Sequence, residues 1–191
     1  EPNLDPVVVS KSNVFSAHQG HCMALEFSGD GTYMASGGSD HRLIVWKPTK
    51  RGSLNKFWEA PEAHDASICA VTFIDSKDLV VSASNDQTLR LWKVSEKGKS
   101  KVPVRTLTGH DEWVRQVVVS ADGALLASCS NDQTAHVWNA DTGKSLGELR
   151  DHEHVIECIA LSTPAMHEAL VASLREYGAL AADAVATAGE M

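Results

Sequence analysis

Paired cysteines are absent from this sequence. Its four cysteines, Cys22, Cys69, Cys129 and Cys158, are widely separated, and no C-x-x-C spacing occurs. Each lies among apolar residues in a strand-like run, which is typical of buried free thiols rather than of a disulfide framework. We therefore expect a protein of a reducing compartment, either the cytoplasm or the nucleus.

Long apolar stretches and an excess of basic residues are also absent. No run of about 18 apolar residues occurs, and no basic segment followed by an apolar one opens the chain, so we expect neither a membrane span nor a secretion signal. The 25 Asp and Glu outnumber the 17 Lys and Arg, for a formal net charge of −8. A general electrostatic attraction to nucleic acid or to an anionic membrane is therefore not expected.

The sequence contains an internal repeat instead. A tryptophan recurs every 46 residues, and a histidine, a serine and an aspartate recur with the same period. The four sets are His18, His64 and His110; Ser36, Ser82 and Ser128; Asp40, Asp86 and Asp132; and Trp46, Trp92 and Trp138. Four residue types that keep one period through three copies indicate three copies of one supersecondary unit.

Each copy has the pattern of short strands separated by turn residues. In the third copy the strand-like runs V-R-Q-V-V-V, L-L-A-S-C-S and T-A-H-V-W are separated by S-A-D-G and N-D-Q. A more polar run precedes the histidine of every copy. The pattern predicts an all-β fold in which each unit contributes four antiparallel strands.

These landmarks resemble those of the WD-repeat family, in which a Gly-His or Ala-His dipeptide opens the unit and a tryptophan closes it. The chain has Gly109-His110, with Ala17-His18 and Ala63-His64 as variants. The resemblance covers about residues 14 to 162. It implies a WD-repeat β-propeller segment with three complete four-stranded blades and the start of a fourth.

The resemblance also implies that each blade takes its outer strand from the following repeat. The predicted propeller part is 1–162, with repeats at about 14–60, 61–107 and 108–150 and a partial repeat at 151–162. The predicted outer strands lie near 54–60, 102–107 and 145–150, with a leftover outer strand at 7–16 and the first strand of a fourth unit at V-I-E-C-I-A-L. Closed propellers have about 4–8 blades, and the chain does not begin with Met. We therefore expect a segment of a longer chain, with further blades from missing sequence or from another chain.

Residues 163–191 have a different pattern and predict a helical tail or a loop insertion. Thr163 is suited to cap a helix, and Pro164 suits its first position. Met166, Leu170 and Leu174 then fall on one helical face. Such a helix would pack on the propeller or bind a partner.

The repeated Ser, His and Asp allow two interpretations. In one copy alone, Ser128, His110 and Asp132 have the roles of a hydrolase triad. The same trio occurs in all three units, however, and no G-x-S-x-G motif is present. This favours a structural network in each unit, in which the aspartate orients the histidine and the serine links the histidine to the tryptophan. His152, His154 and Cys158 match no strong zinc spacing, so no metal, cofactor or catalytic residue is predicted.

Residues 106–161 resemble more closely the lissencephaly family of WD-repeat proteins, which regulate cytoplasmic dynein. The resemblance rests on G-H-D-E-W-V-R, A-S-C-S-N-D-Q-T and E-L-R-D-H-E-H-V-I-E-C-I. It implies a cytoplasmic, cytoskeleton-associated protein that binds the dynein motor domain through the loop face of the propeller. Arg115 matches a family arginine on that face, whereas Asn85 stands where the family has a second arginine.

Loop residues outside the repeat pattern are the expected place for protein recognition. An aromatic residue and an arginine among acids, on loops held by a rigid sheet, suit a protein partner. The predicted partner-binding residues are Asn85, Asp111, Glu112, Trp113, Arg115, Asn131, His154 and Glu157. The alternative for Trp113 is packing between blades. A scaffold of another assembly, in actin turnover, chromatin or cilia, is the alternative function.

Overall fold

The secondary structure consists of short strands. The computed structural model describes residues 17–49, 53–95 and 102–161. Within these ranges it contains twelve strands and one 3-10 helix at Asp75–Lys77. The strands are β1 Cys22–Phe27, β2 Met34–Gly38, β3 Leu43–Pro48, β4 Leu54–Ala60, β5 Ile68–Ile74, β6 Leu79–Ser84, β7 Leu89–Lys93, β8 Arg105–Leu107, β9 Val114–Val119, β10 Leu125–Ser130, β11 Ala135–Asn139 and β12 Ser145–Leu149.

The strands form three separate four-stranded sheets, which contain β1 to β4, β5 to β8 and β9 to β12. Within each sheet the strands lie side by side in chain order. All neighbouring strands pair antiparallel. The all-β prediction with four-stranded blades is therefore confirmed. The predicted strand at 7–16 and the predicted helical tail at 163–191 lie outside the described residues.

The outer strand of each blade lies immediately before the histidine of the next repeat. β4 ends at Ala60 and β8 at Leu107, close to His64 and His110 respectively. The sequence repeat and the blade are thus offset by one strand. β8 is shorter than the predicted 102–107, since Pro103 has no N–H to donate to a ladder.

The segment 155–161 does not form the predicted first strand of a fourth unit. Its backbone instead bonds to the third blade: the N–H of Ile156 donates to the carbonyl of Ser130 (3.1 Å), and that of Ile159 donates to Oε1 of Gln116 (2.7 Å). A strand needs a partner with which to build a ladder, and the described part of the chain supplies none for this segment.

The hydrophobic core lies between consecutive sheets. Leu43 and Val45 of the first sheet cluster with Phe73 and Trp92 of the second. The corresponding cluster between the second and third sheets includes Leu89, Leu91, Val117 and Trp138. We call the face of each sheet that carries its repeated tryptophan the front face. The second and third sheets thus each turn their front face toward the preceding sheet.

The front face of the first sheet differs from the other two in exposure. Leu25 and Phe27 of β1 are 57% and 51% exposed. Their equivalents one repeat later, Val71 and Phe73, are each only 5% exposed. The first sheet therefore presents to solvent an apolar face of the kind that the second sheet buries.

Candidate functional site

A histidine, a serine, an aspartate and a tryptophan meet in each blade. In the third blade, Nε1 of Trp138 donates to Oγ of Ser128 (2.9 Å), which leaves the serine hydroxyl proton for Nε2 of His110 (2.8 Å). The proton on Nδ1 of His110 then goes to Oδ2 of Asp132 (2.8 Å). The hydrogen-bond directions are therefore consistent with a neutral histidine protonated on Nδ1.

The other two blades repeat this network closely. In the second, the Trp92–Ser82, Ser82–His64 and His64–Asp86 distances are 2.9, 2.7 and 2.8 Å. In the first, the equivalent distances among Trp46, Ser36, His18 and Asp40 are all 2.9 Å. The structure therefore groups the twelve residues for which the sequence predicts a network into three networks of four, one in each blade.

The aspartate joins two loops of its blade. Asp132 lies in the turn between β10 and β11 and accepts hydrogen bonds from the backbone N–H of Asp111 (3.0 Å) and from the N–H and hydroxyl of Thr134 (2.9 and 2.6 Å). The residue after the aspartate, Gln133, has a left-handed φ of 69°. The turn therefore holds the loop before β9, where Asp111, Glu112 and Trp113 lie, whereas Arg115, which the sequence places on the same loop, belongs to β9.

Three of the predicted partner-binding residues are in direct contact. The Arg115 guanidinium carbon lies 5.3 Å from the centre of the Trp113 ring, a cation–π arrangement. Nε of Arg115 donates to Oδ1 of Asn131 (2.6 Å), and the N–H of Asn131 donates to the carbonyl of Trp113 (2.9 Å). We call Trp113, Arg115 and Asn131 the Arg115 cluster. Trp113 is 44% exposed, so its ring is available to a partner.

The remaining predicted residues lie outside this cluster. Asp111 and Glu112 are exposed on the same loop. Asn85 occupies the equivalent turn of the second blade, where its Oδ1 accepts a hydrogen bond from the thiol of Cys69 (2.9 Å). His154 and Glu157 are also exposed. Within the described ranges, no hydrogen bond joins either of these two side chains to the cluster.

A family comparison matches the repeats. The model of the WD40 family, described as WD domain, G-beta repeat, matches residues 10–47, 55–93 and 101–139, which together exceed half of the chain. The chain belongs to the WD40 repeat family. Each matched WD40 segment ends one residue after a network tryptophan and contains one complete network. A search of curated proteins gave no match.

The WD40 networks are poorly placed for nucleophilic catalysis. The side chains of Ser82 and Ser128 are completely buried. Each Oγ already accepts an indole N–H and lies within hydrogen-bond distance of its histidine. A substrate carbonyl therefore has no path to either oxygen, and the geometry fits packing and hydrogen-bond satisfaction better than the hydrolase interpretation.

Neither metal nor membrane features are evident in residues 17–49, 53–95 and 102–161. No group of three or more His, Cys, Asp and Glu side chains in these ranges is arranged to hold a metal ion. The same ranges contain no helix long and apolar enough to span a membrane.

The networks shift the ionisation of their members. Burial lowers the pKa of His64 and of His110, and the paired aspartates offset this only in part. Burial opposes ionisation of Asp132, but hydrogen bonds from Thr134 and His110 outweigh it and lower the pKa of that carboxyl to about 2. The folded state thus favours neutral histidine beside ionised aspartate.

We expect the free energy of unfolding to decrease when the pH is lowered from about 7.5 to about 5.5. An unfolded-chain histidine has a pKa of about 6.5, whereas burial keeps His64 and His110 neutral to lower pH. The unfolded state therefore binds more protons, and stability is lost as the pH falls below about 6.5 toward the folded-state pKa values. Urea unfolding over this range measures the loss.

A pair of histidine variants tests the source of this pH dependence. The combined substitution His64→Gln and His110→Gln is expected to flatten the dependence of stability on pH. The substitution His21→Gln, at an exposed histidine, is expected to preserve it. Equal flattening by both would show that the buried pair is not responsible.

Sequence reasoning missed two features of the site. It did not foresee that Asn131 joins Arg115 to Trp113, although the spacing of Trp113 and Arg115 by two residues places both side chains on one side of an extended chain. It also missed His136, a buried ring that lies 4.3 Å from the His110 ring centre and 5.1 Å from that of Trp138. No repeated landmark marks its position.

Proposed function

We propose that this protein is a non-catalytic scaffold that binds another protein through the Arg115 cluster. WD40 domains generally mediate binding to other proteins. The observation that carries the proposal is the exposed Trp113 ring stacked with Arg115 at the end of a rigid sheet. Tryptophan and arginine are among the residue types most enriched at the energetic centres of protein interfaces.

The position of this cluster within the repeat supports a specialised role. At the positions equivalent to Trp113 and Arg115, the second repeat has Ser67 and Cys69. The first repeat has His21 and Met23 there. The network residues recur in every blade because every blade must pack, whereas this pair is confined to one repeat and is therefore suited to recognition.

We further propose that the partner is the motor domain of cytoplasmic dynein, bound in the cytoplasm at the cytoskeleton. The support is the resemblance of residues 106–161 to the lissencephaly family, in which Arg115 matches an arginine of the dynein-binding face. Asn85 lacks the charge of the second family arginine. Arg115 is therefore the residue to which we assign the main electrostatic contact with the motor domain on the described loop face.

The substitution Arg115→Ala is expected to weaken binding of the dynein motor domain by about 10- to 100-fold, the loss typical of an interface hot spot. The charge and the stacking partner of Trp113 are lost together. Affinity measured by biolayer interferometry on purified proteins checks this expectation.

Lys144→Ala is the matched control for this experiment. It removes the same charge from the turn between β11 and β12, at the opposite end of the sheet from the turn that holds Asn131. Its expected effect on affinity is less than twofold. If the unsubstituted protein binds and Arg115→Ala binds equally well, the proposed site is wrong. If the unsubstituted protein does not bind the motor domain, the proposed partner is wrong.

A further inference from the structure

We infer that Asn131 is the positioning residue of the Arg115 cluster, and that it orients the guanidinium to receive a carboxylate of the partner. The inference deepens the proposed function and rests on its assignment of Arg115 as the contact residue. Asn131 contacts both members of the Trp–Arg pair: its side-chain Oδ1 accepts from Nε of Arg115, and its backbone N–H donates to the carbonyl of Trp113.

Asn131 is itself held firmly. It begins the turn after β10, where the N–H of Ser130 donates to the carbonyl of Thr134 (3.2 Å) and the next residue, Asp132, donates its N–H to the Ser130 hydroxyl (3.1 Å). The Ser130 hydroxyl donates in turn to the carbonyl of Glu112 (3.2 Å). Asn131 therefore links a rigid turn to the loop that carries Trp113.

The contact with Asn131 determines which edge of Arg115 faces a ligand. Nε donates to Asn131, and the Trp113 ring lies beside the guanidinium carbon. Nη1 and Nη2 have no hydrogen-bond acceptor among the described residues. These two nitrogens form a planar fork that matches a carboxylate in a bidentate pair.

The charges on the loop that carries Trp113 favour a carboxylate over a phosphate. Asp111 and Glu112 are exposed on the same loop as Trp113. Their negative charges oppose a doubly charged phosphate more strongly than a singly charged carboxylate. The partner surface that fits this cluster is therefore an aspartate or glutamate side chain with an apolar neighbour for the Trp113 ring.

The second blade contains a natural comparison. Asn85 has the same place in its turn, and its N–H donates to the carbonyl of Ser67 (2.9 Å), as that of Asn131 does to Trp113. Its Oδ1, however, receives the Cys69 thiol rather than an arginine. The backbone contact is thus shared by both turns, whereas the side-chain contact with an arginine is specific to Asn131.

The first experiment tests positioning without any partner. In NMR spectra of the whole chain, the Arg115 Nε–H signal is expected to be protected from exchange with water. Asn131→Ala should remove that protection, and Asn85→Ala, which removes the same side chain from the equivalent turn, should leave it. Protection that survives Asn131→Ala would overturn the positioning role. The outcome does not depend on whether dynein is the partner.

The second experiment tests action through Arg115. Asn131→Ala is expected to weaken motor-domain binding by about 5- to 20-fold in the unsubstituted protein. It should cause less than a twofold loss in an Arg115→Lys background, because lysine has neither the Nε donor nor the fork. A purely structural role for Asn131 would give the same loss in both backgrounds, which would overturn the inference.

The third experiment tests the ligand chemistry with defined probes. A glutamate-rich peptide is expected to shift the Arg115 Nε–H and Trp113 indole signals, whereas the matching glutamine-rich peptide is not. Inorganic phosphate at the same concentration should cause a smaller shift. Equal shifts with the glutamine-rich peptide or with phosphate would overturn the assignment of a carboxylate.

Discussion

Replacement of Trp92 by alanine is expected to lower the free energy of unfolding by about 3–5 kcal/mol, the usual cost of truncating a buried aromatic residue. The Trp92 ring is fully buried in the core between the first and second sheets. Its removal leaves a cavity between two blades and takes away the indole N–H that Ser82 accepts. Chemical denaturation monitored by far-ultraviolet circular dichroism measures the change.

Two further tryptophan variants separate packing from hydrogen bonding. Trp92→Phe keeps most of the ring volume and loses the indole donor, so a loss of about 1–2 kcal/mol is expected. Trp113→Ala removes an exposed ring, and its expected effect on stability is within about 0.5 kcal/mol. If Trp113→Ala destabilised the protein as much as Trp92→Ala, the described core would be wrong.

The second large effect is expected for Asp86→Ala, with a loss of about 2–4 kcal/mol. The Asp86 carboxylate accepts hydrogen bonds from Nδ1 of His64, from the N–H of Asp65 and from both the N–H and hydroxyl of Thr88. A guanidinium nitrogen of Arg90 lies 3.4 Å away. Alanine leaves these donors without their acceptor in a half-buried site. Urea unfolding at neutral pH checks the loss.

Asp30→Ala is the matched control for Asp86→Ala. Asp30 also accepts hydrogen bonds within its own turn, from the Ser28 hydroxyl and from the N–H and hydroxyl of Thr32. That turn is exposed, so water replaces the lost acceptor, and a clearly smaller loss is expected. Equal losses for the two variants would show that the network adds nothing beyond the local turn.

The sheets could be predicted from sequence because their determinants are local and repeated. Alternating apolar residues between turns such as N-D-Q identify the strands, and a constant period places His110, Ser128, Asp132 and Trp138 in equivalent positions of every copy. Pro103 shortens β8, an effect visible only once the pairing partner is known. The local sequence pattern therefore predicted which strands form better than it predicted where each strand ends.

The Arg115 cluster was only partly predictable. Its members were identified from residue type and expected loop position. The hydrogen bond from Arg115 to Asn131, however, joins strand β9 to the turn after β10, and its geometry depends on how the chain folds between them. The segment 155–161 shows the opposite case. Its sequence is strand-like, yet strand formation depends on a neighbour, which no local pattern provides.

The offset between repeat and blade couples the stability of neighbouring blades. The chain leaves the outer strand of one blade at Ala60 or Leu107 and within a few residues supplies the network histidine of the next, His64 or His110. Detachment of an outer strand therefore releases the histidine that closes the adjacent network. Unfolding of one blade therefore also destabilises the hydrogen-bond network of the next blade. This coupling between neighbours favours cooperative unfolding of the repeat array over the unfolding of single blades.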